Sequence, residues 1–195
     1  MSRLPLILAS ASPRRRQLLS EAGIGFTIRP AELDEQSRPG EAPEPLARRL
    51  AREKALAIAD QIAAPDAAVV LGADTLVVQG DRVFGKPQDA EQAVSHLMAL
   101  CGAVHRVITG VALVHPARSL VRDFAVASEV HLRAATEDEI RRYVATGEPM
   151  DKAGAYAIQG DGRRFVAKVV GSETNVIGLP MDETLAALAA LGVTE

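Results

Sequence analysis

The chain has 195 residues, a net charge of −3 at pH 7 and one cysteine. This length suits one domain with a full hydrophobic core, and we expect residues 1–195 to form a single domain. The charge excludes a general cationic surface for nucleic acid, and the cysteine count excludes an intrachain disulfide framework. The sequence shows no charged leader with a long apolar run and no apolar run of membrane-spanning length. These features favour a cytoplasmic location without membrane contact.

The first elements surround an unusual group of charges. The apolar run Leu4–Ala9 predicts a short buried strand. Ser12 suits a helix N-cap, Pro13 the first helical position and Gly23 the C-terminal stop. Arg14–Arg16 fill the first helical turn, where the helix dipole already places partial positive charge. A phosphate bound at this turn would turn the repulsion into attraction, but a solvated cationic surface explains the same residues equally well.

The remaining elements interleave helices and strands, with hairpin signals as well. Periodicity and capping residues predict helices at 44–59, 89–100, 136–145 and 180–191. Apolar runs predict strands at 67–78, 106–114, 121–133 and 165–170, with a hairpin turn at 79–81 and a polar, glycine-rich loop at 147–162. This order predicts an α/β fold, with a mixed, twisted β-sheet flanked by helices and the site in a cleft.

Two charged residues occupy positions where apolar ones belong. On the helix 44–59, Lys54 lies within the apolar arc, one turn from both Leu50 and Ile58. It can snorkel to solvent, find a partner, or point into a site and bind phosphate. The opposite side of this helix carries the charged residues Arg48, Arg49, Arg52 and Glu53. Asp74 interrupts the next apolar run, so it is paired, metal-bound, reactive at a strand end, or part of a turn between two shorter strands.

A further lysine completes a set of charges suited to phosphate chemistry. Lys86 projects from a turn fixed by Gly85 and Pro87, although exposed loop lysines are common. Cations and a carboxylate suit hydrolysis of a phosphoanhydride, and the sequence supplies them as Arg14, Arg15, Lys54, Lys86 and Asp74. The histidines lack metal-ligand spacing, and no P-loop, dinucleotide-binding or nucleophile-elbow motif occurs. Cys101 has no obvious catalytic partner and is expected to be a small core residue.

Six segments, in this order along the chain, resemble the Maf family of nucleotide pyrophosphatases: residues 8–15, 50–55, 71–75, 85–87, 151–160 and 176–180. The resemblance implies a Maf/ITPase-like fold and hydrolysis of a nucleoside triphosphate to the monophosphate and pyrophosphate, with a divalent cation, Mg²⁺ or Mn²⁺. It implies that Asp74 accepts a proton from the attacking water. It also implies a metal site at Glu35 and Asp74, with Asp34 an adjacent candidate for the former, and a phosphate-binding set of Ser10, Arg15, Lys54 and Lys86.

The resemblance extends to substrate choice. Arg14, Thr75 and Gln159 are similar to the specificity positions of the dTTP/UTP pyrophosphatase branch, which implies a canonical or modified pyrimidine nucleotide as the substrate. A glutamine amide also offers both a donor and an acceptor to a pyrimidine edge. The alternatives are a 7-methyl-GTP pyrophosphatase of the same family and a nucleotide-binding regulator of cell division without turnover. A homodimer is a further implication, although Glu173 departs from a family pattern that often has an aromatic residue there.

Overall fold

The computed structural model describes residues 4–33, 35–62, 68–115 and 120–194. The chain divides into two compact units. The first unit takes in the described residues of Met1–Asp74, Thr109–Val126 and Gly178–Glu195, and the second those of Thr75–Ile108 and Ala127–Ile177. The single-domain organisation expected from the sequence stays a prediction.

Helices and strands are interleaved along the described chain, as the sequence predicts. The helices are α1 (Pro13–Glu21), α2 (Pro43–Ala59), α3 (Ala90–Leu100), α4 (Glu137–Val144), α5 (Glu173–Ile177) and α6 (Met181–Ala190). The strands are β1 (Leu6–Leu8), β2 (Thr27–Ile28), β3 (Val69–Gln79), β4 (Arg82–Phe84), β5 (Val104–His115), β6 (Leu120–Leu132) and β7 (Val166–Val170). The short elements β2 and α5 were not predicted, and three short 3-10 turns lie between Glu148 and Phe165, in and just after the predicted loop 147–162.

The strands form one mixed sheet with the order β2-β1-β3-β5-β6-β7, and β4 pairs with the end of β3. Strand β1 runs parallel to both β2 and β3, whereas β4 is antiparallel to β3 and β7 to β6. The pairing of Gln79 with Arg82 confirms the predicted hairpin. The mixed α/β class is therefore confirmed, and the cleft stays a prediction.

Capping side chains begin three of the helices where the sequence places them. Ser12 accepts the backbone N–H of Arg15 at the start of α1. Asp89 and Thr136 accept the N–H of the third residue after them at the starts of α3 and α4. The first backbone N–H groups of a helix have no acceptor within the helix. Each capping side chain accepts a hydrogen bond from one of them and so fixes where the helix begins.

Helix α2 packs directly on the sheet in the first unit. A Cβ added to Gly72 of β3 would lie 2.1 Å from the carbonyl oxygen of Ala51, and one added to Gly110 of β5 would lie 2.2 Å from that of Ala47. The absent side chains let the helix backbone approach both strands. Side chains alternate along a strand, so Asp74 lies on the same face of β3 as Gly72. The close approach therefore brings α2 to the face of β3 that carries Asp74.

We expect Gly72→Ala to lower the free energy of unfolding by about 3 kcal/mol, because the new methyl group forces α2 away from β3. Gly25→Ala is a matched control, since no atom lies within 4 Å of its added Cβ. Urea unfolding of both variants checks this prediction. Equal stability of the two variants would contradict the direct packing of α2 on the strand.

The second unit has its own hydrophobic core, to which α3, α4 and the 3-10 turns contribute. Its members include Val77, Phe84, Leu97, Leu100, Tyr143 and Phe165. Tyr156 lies in this core, and its hydroxyl is 2.7 Å from His105 Nε2. Burial lowers the pKa of His105 to about 4, so the neutral imidazole is the form present at neutral pH. Within the described part of the chain, no helix combines the length and apolar character needed to cross a membrane.

Candidate active site

Arg15 is held in place in the first turn of α1. Its side chain is buried, with its Nε donating to the carbonyl oxygen of Gly178 at 2.9 Å and its Nη1 to Ser10 Oγ at 3.0 Å. Burial lowers the pKa of Arg15, while the negative charges of Asp74 and Glu35 act in the opposite direction. The guanidinium is therefore fixed by two hydrogen bonds and lies within the field of two carboxylates.

Lys54 reaches from α2 to the carboxylate in β3. Its Nζ lies 2.7 Å from Asp74 Oδ1 and 2.6 Å from Glu35 Oε1. The side chains of Lys54 and Asp74 are each 9% exposed, whereas that of Glu35 is 56% exposed. One ammonium group thus joins a buried carboxylate to one that is open to solvent.

These contacts decide two alternatives that the sequence leaves open. Lys54 does not snorkel to solvent, because its ammonium is buried against Asp74. Asp74 is not a turn residue, because it lies inside the continuous strand β3. Five of the residues selected from the sequence therefore belong to the first unit and form what we call the charged cluster: Ser10, Arg15, Glu35, Lys54 and Asp74. Their individual roles stay predictions, and Asp34 lies outside the described residues.

The other two arginines of the first turn differ from Arg15. Arg14 is half-buried and adds positive charge beside Arg15. Arg16 is also half-buried, and its Nη2 donates to the carbonyl oxygen of Ala11 at 3.3 Å. This hydrogen bond is exposed to solvent, so Arg16 is a surface residue in contact with the preceding turn. The buried position of Arg15 makes it the arginine of this turn that belongs to the cluster.

Three predicted site residues belong to the second unit. Thr75 follows Asp74 in β3 and is half-buried. Lys86 is exposed after β4, and Gln159 is exposed in the segment of 3-10 turns. Their proposed roles in phosphate binding and substrate choice stay predictions.

Arg49 supports the charged cluster, although its position in the sequence does not indicate this role. The helical projection places it on the solvent side of α2, yet only 9% of it is exposed. Its Nε and Nη2 each lie 2.7 Å from the Glu41 carboxylate, its Nη1 is 3.0 Å from Glu53, and its Nη2 also donates to the carbonyl oxygen of Gln36 at 3.0 Å. Because Gln36 follows Glu35, Arg49 fixes the chain beside a member of the charged cluster. A projection of α2 alone cannot show this, since Glu41 and Gln36 come from the segment before the helix.

The Arg49 contact predicts a specific pH dependence of stability. The hydrogen bond from Arg49 is the main cause that holds the pKa of Glu41 at about 2, below its ordinary 4.5. A depressed carboxyl pKa stabilises the fold fully above the ordinary value, and this contribution is lost as the pH falls from 4.5 towards 2. We therefore expect Glu41→Gln to flatten the loss of unfolding free energy over this range. Urea unfolding at a series of pH values checks it, with the exposed Glu44→Gln as control, and an unchanged slope would contradict it.

The donor set at the cluster suits a hard divalent cation. Among the described residues, no group of three or more His, Cys, Asp or Glu side chains lies close enough to hold a metal ion. Glu35 and Asp74 nevertheless offer two carboxylates that meet at the same ammonium group. Mg²⁺ is commonly held by one or two carboxylates together with phosphate oxygens of the substrate. The residues present therefore fit a metal that is bound jointly by protein and substrate.

Cys101 takes no part in this chemistry. It ends α3 as the C-cap residue and is half-buried. Burial raises the pKa of its thiol to about 11, so the unreactive protonated form dominates at neutral pH. This agrees with the packing role expected from the sequence.

Comparison with known proteins places the chain in a family. The family model described as Maf-like protein matches residues 5–191. A dTTP/UTP pyrophosphatase of Anaeromyxobacter dehalogenans (strain 2CP-C) is 50% identical over 189 residues, covering 96% of this chain and 94% of the relative. Proteins with the same name from Myxococcus xanthus (48% identical, covering 96% of this chain and 93% of the relative) and Geobacter metallireducens (46% identical, 96% of both chains) are also similar. The chain belongs to the Maf-like protein family.

Proposed function

We propose that this protein hydrolyses dTTP and UTP to the nucleoside monophosphate and pyrophosphate. The observation that carries the proposal is the contact of the buried Lys54 with Asp74 and Glu35, beside a fixed Arg15. This arrangement joins a proton acceptor to two cations, as hydrolysis of a phosphoanhydride requires. The names of the similar proteins favour pyrimidine nucleotides over 7-methyl-GTP.

In this proposal Asp74 accepts a proton from the water that attacks the α-phosphorus. Its carboxylate can take this proton as the new P–O bond forms. Lys54 hydrogen-bonds Asp74 Oδ1, which fixes the direction of the carboxylate and leaves its other oxygen for the water. Because β3 holds the backbone of Asp74, the base lies on a rigid element and not on a loop.

Arg15 and Lys54 supply the positive charge for the triphosphate. A guanidinium fixed by hydrogen bonds to Ser10 and Gly178 loses little freedom when an anion arrives. Fixed charges that need no rearrangement stabilise the charge that develops on phosphate oxygens in the transition state. We propose that Lys86 makes a further contact with the phosphate chain.

A divalent cation, Mg²⁺ or Mn²⁺, completes the proposal. Glu35 and Asp74 would hold it, since both are oxygen donors of the kind these metals prefer. When bound, the cation would neutralise charge on phosphate oxygens and polarise the phosphorus that the water attacks.

The choice of base is proposed to depend on Arg14, Thr75 and Gln159. The Gln159 amide can donate to one group of a pyrimidine edge and accept from another. A cytoplasmic location and a homodimer are further parts of the proposal, and they follow from the resemblance and the composition.

Pyrophosphate release by the purified protein tests the proposed function. With Mg²⁺ or Mn²⁺ present, we expect equimolar monophosphate and pyrophosphate from dTTP and UTP, at a higher kcat/KM than from 7-methyl-GTP. Orthophosphate as the only inorganic product would contradict cleavage at the α-phosphorus. Tight binding of dTTP without product on prolonged incubation would instead indicate a nucleotide-binding regulator.

A further inference from the structure

Glu148 lies at one end of the second unit's segment 148–162, and its carboxylate is bound by groups from the other end. Its Oε2 accepts the backbone N–H of Asp161 at 2.9 Å, and its Oε1 accepts that of Gly162 at 3.0 Å. Oε1 also accepts the Tyr143 hydroxyl at 2.8 Å. A single side chain thus receives three hydrogen bonds and closes the segment into a loop.

The backbone on both sides of Gln159 contacts the same two side chains. Gly160 has a φ of +73°, a conformation that favours glycine, and a Cβ there would lie 2.7 Å from Glu148 Oε2 and displace that carboxylate. The Tyr143 hydroxyl faces the backbone of Ala157, two residues before Gln159. Residues before and after Gln159 are therefore held, while its own side chain is exposed.

The two supporting side chains are themselves rigid. Tyr143 is fully buried, and its ring packs on Phe165 with the ring centroids 5.2 Å apart. Burial acts to raise the pKa of Glu148, but the hydrogen bonds from Asp161, Gly162 and Tyr143 outweigh it, and the pKa is lowered. The carboxylate is thus ionised at neutral pH and can accept all three bonds. Hydrogen bonds to a charged acceptor are about twice as strong as those between neutral groups.

We propose that Glu148 is a positioning residue for substrate recognition: it fixes the backbone around Gln159 so that the Gln159 amide meets the pyrimidine base in one orientation. This inference depends on the part of the proposed function that assigns base recognition to Gln159. Glu148 itself contacts no substrate in this account. Its effect is on base binding and selectivity, because the base is remote from the phosphorus that reacts.

A double-mutant cycle on nucleotide binding tests the inference without requiring turnover. The variants are Glu148→Gln, Gln159→Ala and the double substitution, and the probe is the non-hydrolysable α,β-methylene analogue of dTTP. Glutamine keeps the size of Glu148 but loses one acceptor and the charge. We expect each single variant to raise the Kd about tenfold, as the loss of one well-placed hydrogen bond would. The double variant should bind no more weakly than Gln159→Ala, because Glu148 acts through Gln159.

The relative affinity for thymidine and guanosine analogues separates a positioning role of Glu148 from a general structural role. The Glu148→Gln variant should lose affinity for the thymidine analogue but not for the matched guanosine analogue, whereas a damaged fold would weaken both equally. Glu183→Gln, an exposed residue on α6, is the control and should leave both affinities unchanged. If Glu148→Gln does not fold, Tyr143→Phe removes one of the three bonds and should show a smaller change with the same dependence on Gln159.

The outcomes separate this inference from the proposed function. Additive effects of Glu148→Gln and Gln159→Ala would overturn the inference, even if the wild-type protein releases pyrophosphate from dTTP. Non-additive, thymidine-selective effects in a protein that releases no pyrophosphate would support the inference and overturn the catalytic proposal. Failure of the wild-type protein to bind the thymidine analogue would overturn both.

Discussion

Asp74→Asn should slow pyrophosphate release from dTTP by about 1,000-fold, within the range of a positioned general base. Asparagine has nearly the same shape, and its side-chain oxygen can still accept the hydrogen bond that Lys54 Nζ donates to Asp74 Oδ1 at 2.7 Å. It cannot accept a proton from water at neutral pH. The loss should therefore fall more on kcat than on dTTP binding. Steady-state kinetics and titration with the α,β-methylene analogue measure the two quantities separately.

The control for this variant is Asp81→Asn. Asp81 is exposed in the turn between β3 and β4, so its substitution removes the same charge from the end of the same hairpin. We expect wild-type kinetics from it, and thermal unfolding of both variants checks that the fold is retained. If Asp74→Asn keeps more than a tenth of the wild-type rate, another residue activates the water.

Lys54→Gln should reduce both activity and stability. The ammonium lies between the carboxylates of Glu35 and Asp74, so its removal leaves a buried negative charge without its partner. Removing one partner of a buried ion pair costs about 3 kcal/mol or more. The loss of a phosphate-binding charge should lower kcat/KM by about 100-fold. Urea unfolding and pyrophosphate release measure the two effects.

A second substitution separates the two roles of Lys54. Adding Asp74→Asn to Lys54→Gln removes the uncompensated charge, so the double variant should be more stable than Lys54→Gln alone while remaining inactive. Lys168→Gln, on the exposed surface of β7, is the matched control and should change neither quantity. Unchanged stability of Lys54→Gln would contradict the buried pair as the structure places it.

Much of the charged cluster could be predicted from the sequence because its members break local patterns. Lys54 interrupts the apolar arc of α2, and Asp74 interrupts an apolar strand. A buried charge requires a partner, and the structure supplies each of these residues with the other. The spacing of apolar residues also predicted the long helices and strands, because each of these elements buries one side along its length.

Other parts required tertiary information. Arg49 looks solvent-exposed on an isolated helix, but Glu41 and the carbonyl oxygen of Gln36 fold over it from the preceding segment. Strand β2 has two residues and α5 has five, which is too short for a period to be recognised. The role of Glu148 could not be predicted from the sequence, because its hydrogen-bond partners include backbone N–H groups, which are present in every sequence.

The bond broken by the enzyme is the central claim, and hydrolysis of dTTP in ¹⁸O-labelled water tests it most directly. If a water activated by Asp74 attacks the α-phosphorus, mass spectrometry should find one ¹⁸O atom in the thymidine monophosphate and none in the pyrophosphate. Label in the pyrophosphate and not in the monophosphate would place the attack on the β-phosphorus and contradict the account.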